Sequence, residues 1–200
     1  VKIDRRKKVL LPVFLKAVDF FHTNEEIMNN FFELKEVELS ELYSKYKDTE
    51  LEEVLRSKLE GSFVREDILD EETGEFVAEA EEIIDIPVIQ KIIDAKVEKL
   101  SIWEVKPEDR IIANALVHDS TKNSDEAVIE VFRKLRPGDL VTVDSARSLV
   151  KQMFFNPQRY DLADVGRYKV NKRLKLDVPA DVIVLTKEDV LQTIEYVKNL

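Results

Sequence analysis

Cations gathered in two clusters are the groups with the most chemistry to offer in this chain. Residues 133–175 hold eleven: Arg133, Lys134, Arg136, Arg147, Lys151, Arg159, Arg167, Lys169, Lys172, Arg173 and Lys175. Only Asp139, Asp144, Asp161 and Asp164 stand against them, a net of +7. Residues 1–8 hold five more against Asp4, a net of +4. The whole chain nevertheless carries −10, so everything outside the two stretches sums to −21. Ammonium and guanidinium groups grouped this way suit phosphate oxygens, and arginine's planar fork fits a phosphate at two points. An acidic whole conceals such local footprints. The competing reading is a solvated face whose cations pair internally, with Asp161 and Asp164 as ready partners.

Other chemistry finds little support. Residues 48–82 are dense in carboxylates, but no D-x-D-x-D-G loop with a closing Glu is present, so solvated charge is the expectation rather than a metal site. The four glycines are isolated, which excludes a Gly-rich phosphate loop, and neither G-x-S-x-G nor H-E-x-x-H occurs. His22 and His118 belong to no motif. Ser120, His118 and Asp119 contain the atoms of a triad, but adjacent residues rarely face one another well enough to act as one. Zero cysteines exclude disulfides and thiolate metal sites and fit a reducing compartment. The start, VKIDRRKKVLLPVF, is basic and then apolar like a signal peptide, yet Lys16 and Asp19 interrupt it and no cleavage site follows. No apolar run approaches the roughly 20 residues of a membrane helix. The absence of an initial Met suggests a piece of something longer. The expectation is a binding and shaping module with no catalytic residues, metal or cofactor of its own.

The elements that must position these groups follow from periodicity. Val1 and Ile3 alternate with charge as a short strand does. Pro12 opens a helix with Val13, Phe14, Ala17, Val18 and Phe21 on one face. Thr23 or Asn24 caps a second, with Glu25 and Glu26 in its first turn and Ile27, Met28 and Phe31 inward. Two short apolar runs, 63–69 and 75–78, flank DEETG and predict a hairpin with Gly74 at positive φ. Residues 87–95 read as a helix and 96–105 as a strand holding Trp103. Ser124 starts a helix that Pro137-Gly138 stops, Thr142 starts another reaching Met153, and Asn156-Pro157 breaks the chain again. A further segment from Asp161 is expected to turn Val165, Tyr168 and Val170 inward, and Arg167, Lys169, Lys172 and Arg173 outward. Thr186 and Asp189 form a capping box ahead of Val190, Leu191, Ile194 and Val197. Helices and short strands in mixed order predict an α+β fold of helices and short antiparallel strands.

Three motifs then stand in order. Glu130–Asp139, EVFRKLRPGD, resembles the E-[IV]-[YF]-R-x-[LM]-R-P-G-[DE] stretch of bacterial RNA polymerase β subunits. FFNPQRYDL at 154–162 is similar to that family's F-F-[NS]-x-x-R-Y-D-L, and VGRYKVN at 165–171 to its V-G-R-x-K-[FLV]-N. IDRRKK at 3–8 matches the family's I-D-R-R-[RK]-K, and DEETGE at 70–75 a weaker motif. The resemblance spans nearly all of the chain, with 31–62 least secure. It departs where the family commonly has two prolines, here Leu140 and Val141, which leaves that turn less restrained.

The resemblance implies the lobe of the β subunit, in three parts: a first lobe segment at 1–32, an acidic, variable, β-rich inserted subdomain at 33–106, and a second lobe segment with basic helices at 107–200. It implies a cytoplasmic, nucleoid-associated part of a nucleotidyltransferase, the DNA-directed RNA polymerase. That part shapes the main channel in transcription, with no membrane association. The implied partners are downstream duplex DNA and the non-template strand, the β′, α and ω subunits, and sigma factor. Arg136 and Arg159, each at a chain break, are the foremost DNA-contact candidates, followed by Arg167, Lys169, Lys172 and Arg173. Tyr160, Phe154 and Phe155 are potential base-stacking groups for which a core role is favoured. The alternative is a protein-interaction module that docks transcription regulators through its acidic insertion.

Overall fold

Contacts divide the chain into two units, Val1–Thr23 with His118–Leu200, and Asn24–Val117. The computed structural model describes residues 1–70 and 73–199. In chain order the elements are β1 (Lys2–Asp4), β2 (Lys7–Lys8), α1 (Leu11–Ala17), α2 (Asn24–Phe31), β3 (Glu33–Glu38), α3 (Ser40–Lys45), α4 (Asp48–Leu59), β4 (Phe63–Val64), β5 (Ile68–Leu69), β6 (Phe76–Ala78), α5 (Ile86–Asp94), β7 (Lys99–Glu104), α6 (Arg110–Val117), α7 (Ser124–Leu135), α8 (Val143–Phe154), α9 (Ala163–Leu174) and α10 (Lys187–Lys198). Mixed helices and small antiparallel sheets make this an α+β fold, as the element order predicts. Among the described residues, no helix is long and apolar enough to cross a membrane. The units part at 23/24 and 117/118, whereas the divisions at 32/33 and 106/107 follow composition and resemblance.

In the first unit, Pro12 sits in the opening turn of α1, where its missing N–H leaves no bond unmade. Asn123 caps α7 by accepting from the Glu126 N–H at 3.0 Å. Gly138, at φ +92°, provides the positive φ that turns the chain after α7. Thr142 and Ser145 form a reciprocal capping box at the start of α8. These three helices meet through Val13, Ala17, Ala127, Val128, Val131, Phe132, Ala146 and Val150, and Ile3 and Val9 of the β1–β2 hairpin join the same cluster. Phe14 meets Phe154 edge-on at 5.4 Å and Phe20 lies 5.8 Å from Phe155, so both motif phenylalanines pack against this core.

A buried ion pair ties α1 to the chain before α7. Lys16 and Asp119 Oδ2 are 2.8 Å apart with both side chains fully shielded. Lys16 also donates to the Thr121 carbonyl at 2.5 Å, while Asp119 Oδ1 accepts from the Thr121 N–H and hydroxyl at 2.8 and 2.7 Å. Asp119 is therefore committed to holding Lys16.

In the second unit, β7 is the middle strand of an antiparallel sheet ordered β3-β7-β4. Leu100 and Ile102 point to one face, into a cluster with Leu55, Leu59, Val64, Ile84, Ile89 and Ile92. Trp103 points to the other and donates its indole N–H to Asn29 Oδ1 at 2.9 Å. The 63–69 run splits: β4 pairs with β7, and only β5 pairs with β6, as Ile68↔Ala78 and Leu69↔Phe76. Gly74 has φ +72° at the hairpin turn, as the sequence predicts; Glu71 and Glu72 of that turn lie outside the described residues. The Tyr43 hydroxyl faces the Ile92 and Val97 carbonyls at 3.2 and 3.0 Å, and burial pushes its pKa up to about 12. The strands of the insertion are interleaved with α4 and α5, so it is mixed in structure.

Helix α9 departs from its expected orientation at three positions, while Val170 is half-buried and Lys169, Lys172 and Arg173 are exposed as expected. Val165 and Tyr168 are each 64% exposed, and Arg167 is 1% exposed. The physical reason is a set of acceptors that the local pattern cannot show. Arg167 donates Nη1 to Asp189 at 2.7 Å, Nε to the Val182 carbonyl at 2.7 Å and Nη2 to the Val184 carbonyl at 2.6 Å. With each of its three nitrogens bonded inside the fold, the guanidinium is buried without an unpartnered nitrogen. Arg167 is thereby corrected from a DNA-contact candidate to a structural anchor. Its partner is Asp189, not Asp161 or Asp164.

Candidate nucleic-acid interface

The two units carry opposite charge. Asn24–Val117 holds 11 basic and 26 acidic residues, a net of −15, and the remaining residues hold 20 and 15, a net of +5. Both basic clusters fall in that second, cationic set. The β1–β2 hairpin, with Arg5 and Arg6 at its turn, packs on the core that α7 helps to build. Burial lowers the pKa of the Val1 amino group, and the charges of Lys8 and Lys134 lower it further, so hairpin and α7 cations share a neighbourhood. The chain segregates its charge by unit, and this is why a net of −10 coexists with a unit of net positive charge.

Arg136 follows α7 directly. Its N–H closes on the Phe132 carbonyl at 2.7 Å, and Pro137-Gly138 then turns the chain away, leaving the side chain exposed. It borders a depression of about 630 Å³ with Gly138, Leu140, Ser145, Leu149 and Gln152. Leu140, where the family has a proline, is 99% exposed there. Arg159 projects from a turn fixed by Asn156: the N–H groups of Arg159 and Tyr160 reach the Asn156 carbonyl at 2.9 Å, and Gln158 N–H reaches Asn156 Oδ1 at 2.9 Å. Among the described residues, neither guanidinium makes an ion pair. Such arginines on stiff turns keep their charge available to an anion.

Lys169, Lys172 and Arg173 are exposed and border one groove of about 780 Å³ between α9 and α10, floored by Val170, Leu174 and Leu185. Arg173 stacks over Tyr196 at 4.9 Å and donates to its hydroxyl at 2.5 Å, which aligns it along the groove. Lys172 lies 6.0 Å from the Tyr168 ring centre. The structure thus joins these three on one groove and places Arg136 and Arg159 on separate turns of the same unit.

The ion pair beneath α9 holds this surface in place. Burial opposes ionisation of Asp189, but the hydrogen bonds from Arg167 and Thr186 outweigh it and its pKa is lowered. Asp189 Oδ2 also accepts the Thr186 N–H at 2.8 Å, and Thr186 Oγ1 accepts the Asp189 N–H at 3.1 Å, which completes the capping box read from the sequence. The exposed Tyr168 was missed by the sequence reading. The spacing of Arg167, Val170 and Leu174 is as helical as that of Val165 and Tyr168, and only the hydropathy of arginine argued for the wrong face.

In the acidic unit, Leu69 and Phe76 form an exposed cross-strand pair, 51% and 55% exposed. Between Glu66 and Gln90 the chain has ten carboxylates and no cation. No group of three or more metal-ligating side chains suited to a metal is found among the described residues.

Comparison with known proteins agrees with the motifs. The family described as RNA polymerase Rpb2, domain 2, matches residues 108–200. The chain is 65% identical to the DNA-directed RNA polymerase subunit beta of Fusobacterium nucleatum over 202 residues, which covers 100% of this chain and 17% of that protein. It is 35% identical to the same subunit of Bacteroides fragilis, covering 99% of this chain and 16% of the relative. For Protochlamydia amoebophila the figures are 32%, 96% and 15%. The chain therefore spans about a sixth of the length of the curated relatives it matches. Similarity along its whole length, together with the Rpb2 domain 2 match, shows that the chain belongs to the family of bacterial RNA polymerase β subunits, as a fragment of one.

Proposed function

We propose that this chain is the lobe of a β subunit in DNA-directed RNA polymerase, a nucleotidyltransferase of transcription acting in the cytoplasm. There it would shape the main channel and contact downstream duplex DNA and the non-template strand. Its protein partners would be the β′, α and ω subunits and sigma factor. The observation that carries the reading is the separation of charge, +5 in the unit holding both basic clusters and −15 in the other. Arg136 and Arg159 are the leading phosphate contacts, and Lys169, Lys172 and Arg173 extend them along the groove. Contacts of this kind supply affinity and register without sequence information.

The test uses polymerase assembled with full-length β. Binding to a forked DNA is measured across a salt series for the parent and for Arg136→Ala and Arg159→Ala. Each lost phosphate contact lowers the slope of log K against log salt by about 0.7–0.9. Unchanged slopes in both variants would remove DNA contact from these arginines.

A second reading has its own observation. The exposed Leu69–Phe76 pair, set among carboxylates, suits a regulator that presents an apolar side chain within a basic rim. In it the insertion at 33–106 docks proteins and touches no DNA. Leu69→Ser with Phe76→Ser would then abolish regulator binding and leave the DNA salt slope as it was.

A further inference from the structure

The outward face of α9 carries four residues at helical spacing, Val165, Tyr168, Lys169 and Lys172. Val165 and Tyr168 are each 64% exposed, and both lysines are exposed. We infer that this face holds an unstacked base of single-stranded nucleic acid against the Tyr168 ring, with Lys169 and Lys172 on the adjoining phosphates. The inference rests on the DNA-contact reading above and adds a site to it, since Tyr168, expected to face inward, is at the surface beside the outward lysines.

Three features support a single strand as the occupant. Charge complementarity comes first: Lys169 and Lys172 lie on the face, Arg173 borders it, and Asp164 in the first turn is the acid of this helix. Second, the Lys172 ammonium lies over the ring at 6.0 Å from its centre, the outer limit of a cation–π contact, and the Tyr168 side chain remains largely exposed beside that positive charge. Third, the helix below is stiffened by Arg167, whose three bonds to Asp189, Val182 and Val184 fix its rotation. A tyrosine on a rigid support loses little side-chain freedom when a base stacks on it. A duplex keeps its base faces stacked on one another, so only an unpaired base presents a face to this ring.

The experiment again uses polymerase containing full-length β, bound to forked DNA with 5-iodouracil at successive positions of the single-stranded arm. Irradiation is expected to cross-link one position to Tyr168, identified by mass spectrometry of the digest. Tyr168→Ala should weaken binding of the fork about five- to a hundred-fold with the salt slope unchanged, because a stacking contact and no phosphate contact is lost. Tyr168→Phe should bind like the parent, and Lys172→Gln should lower the slope by about one contact. Parent-like affinity of Tyr168→Ala, or equal weakening by Tyr168→Phe, overturns the inference. So does a Tyr168→Ala enzyme that binds DNA normally but loses subunits at lower urea, since the face would then be a protein contact. If Arg136→Ala and Arg159→Ala weaken binding while Tyr168→Ala does not, the base site alone falls. If none of the three matters, the DNA reading falls with it.

Discussion

Replacing Arg167 tests whether it anchors the fold or touches DNA. Arg167→Met keeps an unbranched apolar stem but removes three bonds: to Asp189 Oδ1 at 2.7 Å and to the carbonyls of Val182 and Val184. Both members of the pair are 1% exposed, so Asp189 would remain as a buried charge without its counter-ion. Breaking such a pair costs about 3–5 kcal/mol. Asp189 keeps its bond from the Thr186 N–H, so the lower end, about 3 kcal/mol, is expected. Trp103, the single tryptophan, belongs to the other unit, so fluorescence does not report on this site. Hydrogen exchange of the α9 and α10 amides does, and local opening there should rise roughly 150-fold. Arg167→Lys should fall between parent and Met, because one ammonium cannot reproduce a three-way fork. Asp189→Asn combined with Arg167→Met should cost less than Arg167→Met alone, since no bare charge is left. The lowered pKa of Asp189 means that its stabilisation is present above the ordinary carboxylate range and is lost as pH falls through the folded-state value. Protection of the Arg167–Asp189 region should thus persist at about pH 5 and fail only in stronger acid. An Arg167→Met cost below about 1 kcal/mol, the range of surface pairs, would refute the reasoning. A lower DNA salt slope for Arg167→Lys would refute it as well.

Other outcomes follow from the same structure. Lys16→Met should destabilise the first unit by about 3–5 kcal/mol by stranding buried Asp119, measured by urea unfolding followed by far-UV circular dichroism. Tyr43→Phe should cost about 1 kcal/mol for its carbonyl contacts. With the Tyr43 pKa raised from 10.0 to about 12, the unfolded chain releases its proton first, so stability should fall with rising pH across that window. Absorbance titration of Tyr43→Phe should lack the late phenolate step. Thr142→Ala should cost about 0.5–2 kcal/mol by opening the capping box of α8, detectable as a lower thermal midpoint.

Local signals were legible where the physics is local. Pro12, Ser124, Thr142 and Thr186 mark helix starts because such signals act within one turn, and Gly74 and Gly138 mark turns because positive φ excludes most side chains. Branching of the 63–69 run was not legible: whether Phe63–Val64 continues a hairpin or joins β7 depends on residues nearly forty positions on. The exposed positions of Arg136 and Arg159 followed from chain breaks that the sequence displays.

Composition and motif order determined family, fold class and the presence of two cationic clusters, because each is a property of residues near one another in the chain. Tertiary structure alone decided which cations remain available. Arg167 and Lys16 are as charged in the sequence as Arg136 and Arg159, but their counter-ions, Asp189 and Asp119, reach them only through folding. A charge is buried where a counter-ion and further acceptors from distant parts of the chain reach its nitrogens, and that condition is set by the packed fold.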